Sequence, residues 1–210
     1  MSSIDCVAST PYRPFFESTA LIKLDASWTM ERANKLRKTI MTKLPTWAID
    51  QGLVLTNTSS MHDDQIVARC CSIPLTAPQS PSTPAHVLTL DGLDSMPTHE
   101  KDSDLLVFLL HVQAPPTQHL RVMSGHIQPI NHSLAPYEPH ISIVKLYPGE
   151  TVKVLLFARR ATGQDHVKHC PAHAFHRRAA DGSVELFVRA NGAQDACSLV
   201  KEALSMMPAQ

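Results

Sequence analysis

The stretch HVKHCPAHAFH, residues 166–176, places His166, His169, Cys170, His173 and His176 within eleven positions. Imidazole and thiolate are preferred zinc ligands, and a thiol beside an imidazole is also the pairing that makes a nucleophile. A second stretch, NTSSMHDDQIVARCCSIPL at 57–75, sets His62 beside Asp63 and Asp64 and carries the vicinal pair Cys70-Cys71. Imidazole next to carboxylates suits acid–base work or a metal. Spacing weakens all of these readings. Steps of three put side chains on opposite faces of a strand, and Pro171 breaks any helix that would align them. A zinc site would need Cys70, Cys71 or His62 to approach in space. A Cys170 thiolate would need an oxyanion hole from a glycine-rich turn or a helix start, and only Gly163 lies near. In 57–75, Ser60 and Asp63 are spaced as a capping box, making the acids the first turn of a short helix. Ile66 and Val67 would anchor that helix, leaving Arg69, Asp63 and Asp64 to pair or to meet a neighbouring chain.

The elements that must position these residues follow from periodicity. Met30, Ala33, Leu36, Ile40 and Leu44 fall at three- and four-residue steps, the stripe of a helix over about 29–44. Ser27 or Thr29 can cap its start, and Pro45 forces its end. Ala196, Leu199, Val200, Ala203, Leu204 and Met207 form a second stripe over about 193–207, with Asn191 and Gln194 spaced as a capping box. Strands are expected at Ser18–Asp25, Ala48–Thr56, Val87–Leu90, Leu105–Gln113, His140–Lys145, Thr151–Arg159, His173–Arg177 and Ser183–Arg189. Pro148-Gly149 and Asp181-Gly182 mark turns. Two proline-dotted connectors, Pro74–Pro84 and Pro129–Pro139, bracket a candidate insert at 76–138. The expected class is α+β: a discontinuous dimerisation domain, 1–75 plus 139–210, with a mixed sheet and two long helices, interrupted by a mostly β subdomain.

Bulk properties exclude some functions. The 210 residues hold 19 Lys+Arg and 19 Asp+Glu, so no global field draws nucleic acid or an acidic membrane. The first helix has a basic face (Arg32, Lys35, Arg37, Lys38 and Lys43 against Glu31), but no aromatic is interleaved with it for stacking bases. The longest apolar run, Leu105 to Val112, is too short to cross a bilayer. The start of the chain shows no basic and apolar leader, and the five cysteines match no secreted disulfide framework. Together these features lead us to expect a reducing, intracellular setting rather than secretion.

Read in order, several blocks resemble a known family. ANKLRK (33–38), LPTWAID (44–50), NTSSMHDDQIVARCCSIPL (57–75), RVMSGHI (121–127), IVKLYPGETVKV (143–154) and GQDHVKHCP (163–171) are similar to motifs of the α-type subunits of cellular RNA polymerases. These are bacterial α, the archaeal D subunit and the third-largest subunit of eukaryotic RNA polymerase II. The chain departs from the family pattern at His169, where the family carries a tryptophan, at Asp64 and at Lys38. It shows no counterpart of the bacterial C-terminal DNA-binding domain, and no cysteine falls between Cys71 and Cys170. A divergent member encoded by a large DNA virus fits this reduced form.

The resemblance implies a non-catalytic assembly subunit of a DNA-directed RNA polymerase, without cofactor or bound metal. It would heterodimerise with a smaller α-like subunit and dock two large catalytic subunits and small assembly subunits, with little or no direct DNA contact. The compartment would be nucleus or cytoplasm, or a virion for a viral member. The expected partner-facing residues are Met30, Ala33, Asn34, Leu36, Arg37, Lys38, Ile40, Asp63, Asp64, Arg69, His166, Lys168, Leu199, Val200, Leu204 and Met207. The competing reading is a stand-alone metal-binding protein or Cys/His enzyme built on 166–176.

Overall fold

A computed structural model describes residues 5–7, 18–24, 27–76, 105–130 and 132–207. In chain order the elements begin with strands β1 (Asp5–Val7) and β2 (Thr19–Leu24), helix α1 (Met30–Thr42), β3 (Pro45–Asn57) and α2 (Asp63–Cys71). Strands β4 (Leu75–Thr76), β5 (Leu106–Gln113), β6 (Leu120–Met123), β7 (Ile127–Pro129) and β8 (Ala135–Pro136) follow. The chain closes with β9 (Ser142–Leu146), β10 (Thr151–Thr162), β11 (Ala172–Arg178), β12 (Val184–Ala190) and α3 (Ala196–Ser205). The class is α+β, as expected. The strand expected at Val87–Leu90 and most of the first connector lie outside the described residues.

The chain divides into two compact units, Met1–Trp47 with Ala161–Gln210, and Ala48–Arg160. The division falls at 47/48 and 160/161, whereas proline content had pointed to 75/76 and 138/139. Most of β3 and β10, with all of α2 and β9, therefore belongs to the second unit.

In the first unit the sheet order is β1-β2-β12-β11. It is antiparallel throughout, where a mixed sheet was expected. Strand alternation sends Ala20, Ile22 and Leu24, Leu186, Val188 and Ala190, and Ala172 and Ala174 into one core with both helices. Small alanines on β11 let α1 lie close against that strand. Thr29 caps α1, its side-chain oxygen accepting the Arg32 N–H at 3.1 Å, and Ala33, Leu36, Thr39 and Ile40 are buried. Each fully buried leucine or isoleucine here contributes about 1.5–3 kcal/mol. The β11–β12 hairpin turns at Gly182, whose φ of 85° is one that side chains with a Cβ rarely adopt. For α3 the cap is Asp195, accepting the Ser198 N–H at 3.0 Å. The expected cap, Asn191, instead accepts from the Ala193 N–H.

In the second unit the sheet order is β3-β10-β5-β7. Register sets Val154 opposite Leu110 and Leu156 opposite Phe108, so large apolar side chains meet across strands. Helix α2 lies directly on β3: a Cβ added at Gly52 would sit 2.9 Å from Val67 Cγ2. Gly149, with φ 80°, makes the expected turn between β9 and β10. Cys70, Cys71 and Cys170 are not in disulfides, while Cys197 is disulfide-bonded, a pairing that the expectation of a reducing setting did not include.

Candidate subunit-contact surfaces

The expected contact residues on α1 and α3 split into two groups. Ala33, Leu36, Ile40, Leu199 and Val200 are fully buried between the two helices and their own sheet. That is a correction: a side chain already enclosed in this core cannot also cover a partner. A periodic stripe identifies the face that is buried, not the chain that buries it. Met30, Leu204 and Met207 are only partly buried, and they pack on the rim of the same core beside Met41. Met206, next along the chain, is exposed. This leaves an apolar, methionine-rich rim around the helix pair, soft enough to shape itself to a neighbour.

Beside the rim, α1 presents charge. Arg37 is held by its own helix, its Nε and Nη2 donating to Asn34 Oδ1 at 3.1 and 3.0 Å. Lys38 is exposed on the same helix. Arg32 lies 4.1 Å from the ring centroid of the buried Trp28, a cation–π contact that fixes the entry to the helix.

The histidine-rich stretch folds as a brace rather than a reaction centre. Gly163 is required by close approach, since a Cβ there would fall 2.0 Å from the Met41 carbonyl oxygen. Asp165 Oδ2 accepts from the Thr162 N–H and hydroxyl at 2.9 and 2.8 Å. The exposed His166 caps a 3-10 turn over Val167–His169 by accepting the Lys168 N–H at 3.2 Å. His169 is fully buried against the start of β3, its Nδ1 3.1 Å from the Thr46 carbonyl oxygen, while the Thr46 hydroxyl donates to the His169 carbonyl at 2.7 Å. Thr46 was not expected to matter, and nothing in the local sequence pairs it with a residue so distant.

Chemistry at this loop is disfavoured by its geometry. Among the described residues, no three His, Cys, Asp or Glu side chains converge to hold a metal. The Cys170 thiol donates to the Ala172 carbonyl at 3.1 Å, and burial pushes its pKa up. Reactive thiols are held as thiolates by nearby positive charge, and this environment does the opposite.

On α2, His62 rather than Ser60 is the cap, accepting the Asp64 N–H at 3.4 Å. Asn57 ties the preceding loop: its Oδ1 accepts from the Ser59 N–H and hydroxyl, and its Nδ2 donates to Asp63 Oδ1 at 2.6 Å. Asp63 and Asp64 stay exposed in the first turn, where the helix dipole favours them. They edge a shallow depression of about 410 Å³ lined also by Gly52, Val54, Val67 and Ala68. Arg69 stays exposed, and its Nη1 donates to the Ile143 carbonyl at 2.6 Å. Cys70 is buried, and its thiol is pushed up to about 12.

Comparison with curated proteins decides the family. The chain is 32% identical over 145 residues to "DNA-directed RNA polymerase subunit Rpo3" of Thermococcus kodakarensis, covering 69% of this chain and 50% of that protein. The chain is a homologue of Rpo3. The Rpo3 of Pyrococcus horikoshii matches at 29% over 170 residues, covering 81% of this chain and 59% of that protein. The Rpo3 of Methanocaldococcus jannaschii matches at 28% over 175 residues, covering 83% and 78%. The chain spans about half the length of the Thermococcus relative. No family model matches it. Homology to Rpo3, the archaeal α-like subunit, agrees with the resemblance drawn from ANKLRK and the blocks that follow it. No helix among the described residues is long and apolar enough to cross a membrane.

Proposed function

We propose that the chain is a non-catalytic, α-like assembly subunit of a DNA-directed RNA polymerase, working inside the cell. It pairs with a smaller α-like subunit through the helix pair α1 and α3, and the pair seats the two large catalytic subunits and small assembly subunits. Polymerisation chemistry, with its metal ions, belongs to those large partners. Homology to Rpo3 is the observation that carries this reading. The rim of Met30, Met41, Leu204, Met206 and Met207 supports it, because an apolar rim beside exposed Lys35 and Lys38 is what a helical partner would cover. Contact is assigned to that rim, with Asn34, Arg37, Lys38, His166 and Lys168 around it. Asp63 and Asp64 form a separate docking point on the second unit. The discontinuous unit that holds both helices serves as the assembly domain.

Co-expression with a smaller α-like chain tests the reading. A stable one-to-one complex is expected, and Leu204→Glu should disperse it by placing an unpaired charge in the contact. A complex that withstands Leu204→Glu and Met207→Glu together would remove the helix-pair assignment.

A further inference from the structure

Strand β3 is the outermost strand of the second unit's sheet, and no other strand among the described residues pairs with its outer side. Its segment QGLVLT, residues 51–56, contains neither a charge nor a proline. Edge strands are usually blunted by a lysine, a proline or a bulge, because an open row of N–H and C=O groups recruits another strand. Strand alternation sends Leu53 and Leu55 to one face, where they are 39% and 44% exposed. Gly52 and Val54 go to the other face and line the shallow depression edged by Asp63 and Asp64. Asp63 accepts from the neutral Asn57 amide, and Asp64 lies 3.7 Å from the exposed His62 ring. No lysine or arginine among the described residues pairs with either acid. The open edge is therefore flanked by exposed leucines on one face and by two carboxylates on the other.

We propose that the β3 edge accepts an extended segment of a partner subunit in which apolar and basic residues alternate. The apolar side chains meet Leu53 and Leu55, and the lysines or arginines reach Asp63 and Asp64. Main-chain hydrogen bonds along the edge supply affinity, and the period-two alternation of side chains supplies specificity. The proposal rests on the assembly reading, which already gives Asp63 and Asp64 a docking role, and it names the chemistry that docks there. Charge complementarity selects this occupant over a second copy of the chain. Two β3 edges joined in one antiparallel sheet are related by a two-fold axis perpendicular to it, so like faces match. Each copy's Asp63 and Asp64 would then share a face with the other's. The same carboxylates repel an acidic segment or a nucleic-acid backbone.

The test titrates the full chain with a short fluorescein-labelled peptide of alternating lysine and valine, reading anisotropy, with a glutamate–valine peptide as control. The lysine peptide should bind and the glutamate peptide should not. N-methylating the lysine peptide's backbone keeps every charge and side chain but removes the donors, and should abolish binding. Leu55→Lys adds a cation at an exposed position, so the thermal midpoint should not move while affinity falls roughly 10-fold or more. Asp63→Asn with Asp64→Asn should lower affinity roughly 3- to 10-fold. Equal binding of the two peptides, indifference to N-methylation, or a dimer of the chain that Leu55→Lys disperses would each overturn the proposal. Purification of the tagged chain from its native source separates the two readings. If the wild-type chain brings down no polymerase subunit, the assembly reading falls and this proposal with it. If it brings them down and Leu55→Lys releases none, strand addition alone falls; the expected result is that Leu55→Lys keeps the smaller α-like subunit and loses another.

Discussion

Replacing Leu36 by alanine separates core from contact surface. Leu36 is completely buried beneath α1, among Ile22, Leu186 and Leu199 in the same core. A leucine-to-alanine change in such a site costs about 2–5 kcal/mol, because the removed methyl groups leave a cavity that the surrounding core fills only in part. Taking about 3 kcal/mol, a unit of this size should lose roughly 12–24 °C in its thermal midpoint. Leu204, partly open on the rim, has fewer atoms around it, and its alanine variant should lose about 1 kcal/mol and roughly 4–8 °C. Both tryptophans, Trp28 and Trp47, fall in this unit, so fluorescence follows its melting selectively. With a partner present the order should reverse: Leu204→Ala weakens association more than Leu36→Ala does, once compared below both melting points. A smaller loss of stability for Leu36→Ala than for Leu204→Ala in the isolated chain would refute the division.

Further outcomes follow from single sites. Asp195 has its carboxyl held below the usual range by the hydrogen bond from Ser198, so its contribution is present above the unfolded carboxylate pKa and is lost as pH falls through the lower folded value. Asp195→Asn, which keeps a cap acceptor, should therefore flatten the acid limb of stability below about pH 4, while Asp195→Ala should cost about 1 kcal/mol near neutrality. Gly163→Ala should destabilise the first unit by more than 2 kcal/mol in chemical denaturation, because its Cβ would meet the Met41 carbonyl, a backbone atom that cannot turn aside. Gly52→Ala should cost less, about 1–3 kcal/mol, since Val67 is a side chain that can shift. Cys70, with its thiol raised to about 12, should resist alkylation in the native chain at pH 8 and react on unfolding, whereas the half-buried Cys71 should react first.

Much of the architecture was legible because it rests on periodicity. The stripes on α1 and α3, the alternation of β2 and β12, and the turns at Gly149 and Gly182 are properties of short sequence windows. Caps were less legible, because several polar residues stand near each helix start and one backbone angle chooses among them. Asp195 won over Asn191, and His62, an unusual cap, over Ser60. The compact units divide elsewhere than at the proline-dotted connectors, since prolines mark where chain is irregular while contacts follow the pairing of strands far apart in sequence. The stripe residues Leu36 and Leu199 were assigned outward because sequence cannot distinguish a helix's own sheet from another chain. On β11 the pattern hid the outer face. Alanines occupy the buried positions, and the larger Phe175, which reads as core, is exposed.

The central claim is tested most directly by tagging this chain in its native source and weighing the assembly it brings down by native mass spectrometry. The account predicts one copy of the chain in a particle with a smaller α-like subunit and two large subunits, and that particle incorporates nucleotides on a DNA template. Recovery of the chain alone as a monomer, above all one carrying zinc, would contradict it.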